Sequence, residues 1–409
     1  MKRRWMNRAV LLLCMFGLCL GMAYPARAAE LEREEEISGG KTALKGPDIR
    51  AEEETALDSL LGDLDLTSIE EFLKAQTETG DVTFKELLET LLDGNFTDIF
   101  HKILVLLKDS IFKEMKSGGF WIRQVLILGL VGAMFANFSG IFSDSQISET
   151  GFYVTYLLMG TFLAASFLNG ITITGELLER IMEFMRALLP SYFLAVSFAG
   201  GSLTSAAGYG WMLFSIGLAQ WLFLSFFMPC IRIYMLLVLG GHVVREDVFS
   251  RMTELLESGI RWGLKTMTGV ILGFHLLQNM VIPYADSLKN TSLQRLVSVI
   301  PGIGQGAAAV SQMVMGAGVL LKNTMGAGAV LVLVLISLVP LFKLLVLCLL
   351  YRSAAAILQP VCDKRMAACI NGVGNGCFLL FTLAGTALLL FGFSLVIICL
   401  SANAAYFGG

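Results

Sequence analysis

Residues 326–350 read GAGAVLVLVLISLVPLFKLLVLCLL, with Lys343 as the only charge in the run. About 20 consecutive apolar residues in a helix cross the hydrocarbon of a bilayer. Seven further apolar stretches lie at about 120–142, 151–172, 187–203, 209–242, 262–283, 302–321 and 376–400. The 409-residue chain is 56% hydrophobic and 15% charged, with a mean hydropathy of +0.71. Soluble domains carry about a quarter of their residues as charges, so this excess of apolar surface requires lipid as solvent. Helices satisfy their own backbone amides and are the form in which such stretches cross a membrane. The expected fold is therefore an all-α polytopic membrane domain over residues 120–409, with six to eight spans. Two stretches are ambiguous: 187–203 contains Pro190 and Gly200-Gly201, and 302–321 contains Gly302, Gly304, Gly306, Gly316 and Gly318, so either reads as a full span or as a re-entrant or broken helix.

Charge divides the rest of the chain. Roughly two-thirds of the 33 acidic residues fall between Glu30 and Glu114. No basic stripe is dense enough to hold a phosphate backbone, which excludes nucleic acid as a partner. Residues 1–28 read as an export signal: Lys2, Arg3, Arg4 and Arg8 precede the apolar run 9–22, and Ala26-Arg27-Ala28 offers a small-x-small cleavage site. An uncleaved anchor is the alternative. Residues 29–119 then form an acidic, extracytoplasmic region. It begins as a flexible tether, since Glu30, Glu32 and Glu34 to Glu36 leave too few apolar residues to offset chain entropy. Thr67-Ser68-Ile69-Glu70 and Thr83-Phe84-Lys85-Glu86 carry capping-box spacing and predict two short helices. Phe96, Ile99, Phe100, Ile103, Leu107 and Ile111 recur at helical spacing and predict an amphipathic helix. That helix covers a small domain of its own or lies on lipid headgroups.

Cytoplasmic loops hold an excess of Lys and Arg. With eight spans, Lys289, Arg295, Arg352, Lys364 and Arg365 lie inside and Arg180, Arg186, Arg245, Arg251, Arg261 and Lys322 outside. With the two glycine-rich segments re-entrant, Arg245, Arg251 and Arg261 join Arg352, Lys364 and Arg365 inside, while Lys289 and Arg295 move outside. Both arrangements place the two termini outside, and the balance of charge does not separate them.

Pro190 and Pro229 are 39 residues apart, as are Pro301 and Pro340, and the second pair follows the first by 111 positions. Arg232 and Lys343 each stand three residues after the later proline of a pair. This spacing predicts an internal repeat, with units at about 176–252 and 291–366. Repeats with Gly- or Pro-interrupted helices recur in transport proteins, where the broken helices build a site near the midplane. Pro190, Pro229, Pro301, Pro340, Gly302, Gly304 and Gly306 are accordingly candidate packing or path-lining positions. Arg232 and Lys343, ionisable groups within apolar runs, are candidates to line a water-filled path; snorkelling to the interface is the competing reading.

Enzymatic motifs are not legible. Gly40-Lys41-Thr42 resembles the end of a phosphate-binding loop, but Glu35 stands where its first glycine is required. Gly302-Ile303-Gly304-Gln305-Gly306-Ala307 superficially fits a dinucleotide fingerprint, but it follows Pro301 and leads into a membrane segment instead of joining a strand to a helix. His101, His242 and His275 form no metal-binding pattern, and the six cysteines beyond the first 28 residues lie in or beside apolar stretches. The reading is of a non-enzymatic protein with no cofactor and no metal.

Four short motifs in order, Ile300-Pro301-Gly302-Ile303-Gly304, Gly318-Val319-Leu320-Leu321-Lys322-Asn323, Leu341-Phe342-Lys343 and Ala354 to Pro360, resemble the stage III sporulation protein AE family of endospore-forming bacteria. The signal, the acidic front and the number of apolar segments are similar across nearly the whole chain. The resemblance implies a multi-pass component of the channel-like, secretion-like complex in the mother-cell membrane around the forespore. It would be assembled with the other stage III sporulation operon membrane proteins and linked to a forespore partner across the intermembrane space. It supplies no catalytic residues. A stand-alone secondary transporter and a membrane scaffold acting through residues 29–119 are the alternative readings.

Overall fold

Where the hydropathy separates stretches, the backbone joins them. The computed structural model describes positions 67, 69–71, 123, 124, 126, 127, 129–131, 134, 145–199, 202–241, 249–298 and 304–407, and every regular element among them is helical. Helix α1 spans Ser145–Phe198 and contains both the 151–172 stretch and most of 187–203. Next come α2 (Ser202–Gln220), a π-helical segment (Trp221–Phe227) and α3 (Met228–Gly241) without interruption. Helices α4 (Ser250–Ser298), α5 (Gly304–Leu358) and α6 (Lys364–Phe407) follow. Helix α5 likewise joins 304–321 to 326–350 in one continuous helix, whereas the 187–203 stretch holds the end of α1 and the start of α2. At 1.5 Å per residue, the 54 and 55 residues of α1 and α5 extend roughly 80 Å each, well beyond the ~30 Å of hydrocarbon.

Four helical stretches are long and apolar enough to cross a membrane: Thr150–Phe198, Ser205–Gly241, Met313–Leu358 and Lys364–Leu400. The last has the largest share of buried residues in its apolar window. Helix α6 is the centre of the bundle, with α1, α3, α4 and α5 packed along it.

Prolines are accommodated in two ways. Pro190 lies within α1 on its exposed face, and Pro340 lies half-buried within α5. Pro229 follows the π-helical segment, where the Met228 amide bonds to the Phe223 carbonyl five residues back. Proline has no N–H to give and its ring collides with the carbonyl four residues earlier, so the turn before it widens. Pro301 and Gly302 lie outside the described residues, as do the signal segment, the second capping box and the amphipathic helix. At the first capping box, Thr67, Ile69, Glu70 and Glu71 are helical, with Ile69 buried.

Contacts between helices fix which ends lie together. The Tyr156 hydroxyl donates to the Leu239 carbonyl at 2.6 Å, bringing the start of α1 to the end of α3. The Cys362 thiol bonds to the Gly129 carbonyl at 2.9 Å, tying the α5–α6 turn to the 123–134 segment. Arg261 of α4 and Arg352 of α5 lie over the same Phe378 ring of α6, at 5.2 and 5.1 Å from its centroid. The start of α4 and the α5–α6 turn are therefore at one end of the bundle. Asp363 caps α6, accepting the Arg365 backbone N–H at 2.9 Å, while the Arg365 guanidinium lies 3.8 Å from the Phe152 ring centroid of α1.

Candidate functional site

The polar groups of this bundle fall into an interior cluster and an outward stripe. The interior cluster centres on Lys322, which is fully buried in α5. Cys399 of α6 lies beside it. The next residue, Asn323, accepts the Cys399 thiol at 3.4 Å through Oδ1. Tyr192 of α1, also fully buried, lies against the same place: a β-carbon on Gly326 would be 3.1 Å from Cys399 Sγ and 3.5 Å from Tyr192 Cε2. Glycines make this convergence possible. At Gly318, one helical turn before Lys322, a β-carbon would stand 2.6 Å from the Phe198 carbonyl carbon, so α5 touches the backbone of α1 there.

The charge tally in the sequence counts Lys322 as a loop residue; the structure buries it inside a continuous helix. Two features of the sequence signal the cluster. Lys322-Asn323 interrupts two apolar stretches that α5 merges into one, and Gly318 and Gly326 stand one turn to either side of Lys322. An ionisable side chain inside an apolar bundle is expensive and marks function by default.

The outward stripe lies on α1. Glu176, Glu179, Glu183, Arg186 and Pro190 recur every three or four residues and are exposed, while Leu177, Leu178, Ile181, Met182, Met185, Leu188 and Leu189 are buried on the other side. Arg180 pairs with Glu176 at 3.6 Å, and the Arg186 guanidinium donates to Gln220 of α2. This charged stripe sits midway along a helix whose flanking stretches are apolar.

The remaining sequence candidates are dispersed. Arg232 is exposed on the outside of α3 beside Ile233, 49% exposed, and Leu236, 69% exposed. Lys343 is half-buried on α5. Gly304 opens α5 and Gly306 is in its first turn. The structure does not gather Arg232, Lys343 and the described prolines into one place. It does bring together a pair the sequence left apart: Ser215 Oγ of α2 lies 3.1 Å from His275 Nε2 of α4, both buried. Trp211, stacked on Phe274 at 3.9 Å, closes over this pair, which joins the two helices. Cys348, Cys362, Cys369, Cys377 and Cys399 are buried and unbridged, and Cys230 is half-buried. Among the described residues no group of His, Cys, Asp and Glu is placed to hold a metal ion.

Comparison with known proteins gives these features a setting. No solved structure matches the chain. "Stage III sporulation protein AE" of Bacillus subtilis (strain 168) is 23% identical over 294 residues, covering 72% of this chain and 74% of that protein. Residues 82–402 match the sequence profile of the stage III sporulation protein AE family, an extent that includes α1 to α5, nearly all of α6, the buried Lys322 cluster and the charged stripe. This chain belongs to the stage III sporulation protein AE family, and it is a helical membrane protein of sporulation.

Proposed function

We propose that this chain is a non-enzymatic subunit of the channel-like complex between mother cell and forespore, placed in the mother-cell membrane around the forespore. The observation that carries this reading is the α1 stripe. Glu176, Glu179, Glu183 and Arg186 lie between two apolar halves of one long helix and face away from the protein's own core. Charged groups at membrane depth are tolerated where they meet another protein or a water-filled path. A subunit that becomes complete on assembly accounts for such a face.

Orientation follows the same logic. The grouping of Arg251, Arg261, Arg352, Lys364 and Arg365 near one end of the bundle supports placing that end in the cytoplasm. This favours a common side for the start of α4 and the α5–α6 turn, as when 187–203 and 302–321 are not counted as separate spans, with residues 29–119 facing the intermembrane space. The other stage III sporulation operon membrane proteins and a forespore partner are the proposed companions.

Charge reversal on the stripe tests the reading. Glu179→Lys with Glu183→Lys is expected to leave the protein in the membrane at normal abundance, to abolish its co-purification with the operon's other membrane proteins, and to block sporulation. Normal sporulation by this variant would exclude the stripe as an assembly surface. Reconstitution of the isolated chain in vesicles is expected to give no solute flux; flux would favour the stand-alone transporter.

A further inference from the structure

Helices α4 and α5 both pack along α6 and touch each other far less than either touches α6, which makes the seam between them, floored by α6, a candidate groove. Phe378 is on that floor. Arg261 from one wall and Arg352 from the other approach its ring at 5.2 and 5.1 Å from the centroid. Arg352 lies flat because Gly374 has no side chain: a β-carbon there would be 3.2 Å from Arg352 Cγ. Its guanidinium donates to the neutral Asn375 Oδ1 at 2.9 Å, and no carboxylate pairs with it among the described residues. Arg261 pairs with Glu257 on its own helix, and its Nε is buried without a hydrogen-bond partner. Among the described residues these three charges sum to one uncompensated positive charge, and the Arg261 Nε–H has no partner there.

We propose that this groove binds the headgroup of an anionic phospholipid, its phosphodiester held between Arg352 and Arg261. Guanidinium forks match the paired oxygens of a phosphate. The two guanidiniums also stand near one level: Arg352 is about 9 Å and Arg261 about 16 Å from the ends of their helices at the same end of the bundle, taking 1.5 Å per residue. The flanks select an amphiphile over an acidic peptide. Trp262, 70% exposed, stands beside Arg261, and Leu349, 54% exposed, stands one turn before Arg352 on its face, so apolar surface is available to chains that continue from the bound headgroup. Basic pockets between membrane helices hold anionic lipid in this way.

The full chain in detergent, titrated with phosphatidylglycerol or phosphatidylcholine and read by native mass spectrometry, tests the assignment. Phosphatidylglycerol is expected to bind in preference to phosphatidylcholine. Arg352→Gln is expected to weaken that binding about tenfold, the scale of one charge-assisted hydrogen bond, and Arg232→Gln, on the outside of α3, to leave it unchanged. Arg352→Lys, which keeps a cation and an aliphatic stem against Gly374, serves if the glutamine variant fails to fold; it is expected to bind more weakly than wild type through loss of the fork. Equal binding of the two lipids, or wild-type binding by both Arg352 variants, overturns the proposal. Displacement of the lipid by inorganic phosphate at equal concentration overturns it in favour of a free anion, and displacement by a Glu-rich peptide in favour of a protein partner.

Discussion

Gly318 of α5 rests on the backbone of Phe198 at the end of α1, with no space between them for a single methyl group: a β-carbon would lie 2.6 Å from the Phe198 carbonyl carbon and 2.8 Å from its oxygen. Backbone cannot yield as the tip of a flexible side chain does. Gly318→Val is therefore expected to separate α1 from α5 and to destabilise the protein by about 1–3 kcal/mol, the usual cost of overpacking. Gly316, two residues away, has nothing within 4 Å of the place a β-carbon would take; Gly316→Ala is expected to stabilise by about 0.5–1 kcal/mol through helix propensity alone. Thermal unfolding in detergent reads both, and equal effects of the two substitutions would remove the special role of the crossing.

Lys322 gives a different kind of expectation. Lys322→Met keeps the length of the aliphatic stem and removes the buried charge. If the cluster with Asn323 and Cys399 serves function, this variant folds and inserts normally while sporulation efficiency falls. Normal sporulation at normal protein abundance assigns Lys322 to packing.

Tyr156 and Ser215 act as clamps between helices. Tyr156→Phe removes the hydroxyl that donates to Leu239 at 2.6 Å, and Ser215→Ala removes the partner of His275 at 3.1 Å. Each is expected to cost about 1 kcal/mol, the net value of one hydrogen bond, and because they join different helix pairs the double variant is expected to show additive losses. A double-variant loss far from the sum would mean that the α1–α3 and α2–α4 contacts are coupled.

The α5–α6 turn sets a dependence on pH. Burial alone raises the pKa of Asp363, but hydrogen bonds and the charge of Arg365 outweigh it and hold the carboxyl below its usual value of 3.8. A carboxylate held low in the folded protein adds stability that is present above that usual value and is lost as pH falls through the folded one. The unfolding midpoint of wild type relative to Asp363→Asn is expected to be constant from neutral pH to about pH 5 and to converge on the variant below the usual carboxylate range. A difference that persists unchanged at the acid end would exclude the ionised carboxyl as its source.

Sequence alone determined that this protein is a helical membrane protein, because runs such as 326–350 have no stable place in water whatever their neighbours. It also indicated the family, through short motifs whose order is independent of how the helices pack. It did not determine how many of the apolar stretches are separate helices. Glu176 to Arg186 and Lys322-Asn323 interrupt hydropathy without interrupting the backbone hydrogen-bond ladder, so polarity marks a boundary that the helix does not observe. Which charges face inward was likewise beyond the sequence. Arg232 and Lys322 both stand among apolar residues, yet one is exposed and the other fully buried. Helical rotation and the contacts of neighbouring helices decide that, and Ser215 with His275, or Arg261 with Arg352, become pairs only when distant stretches pack on one another.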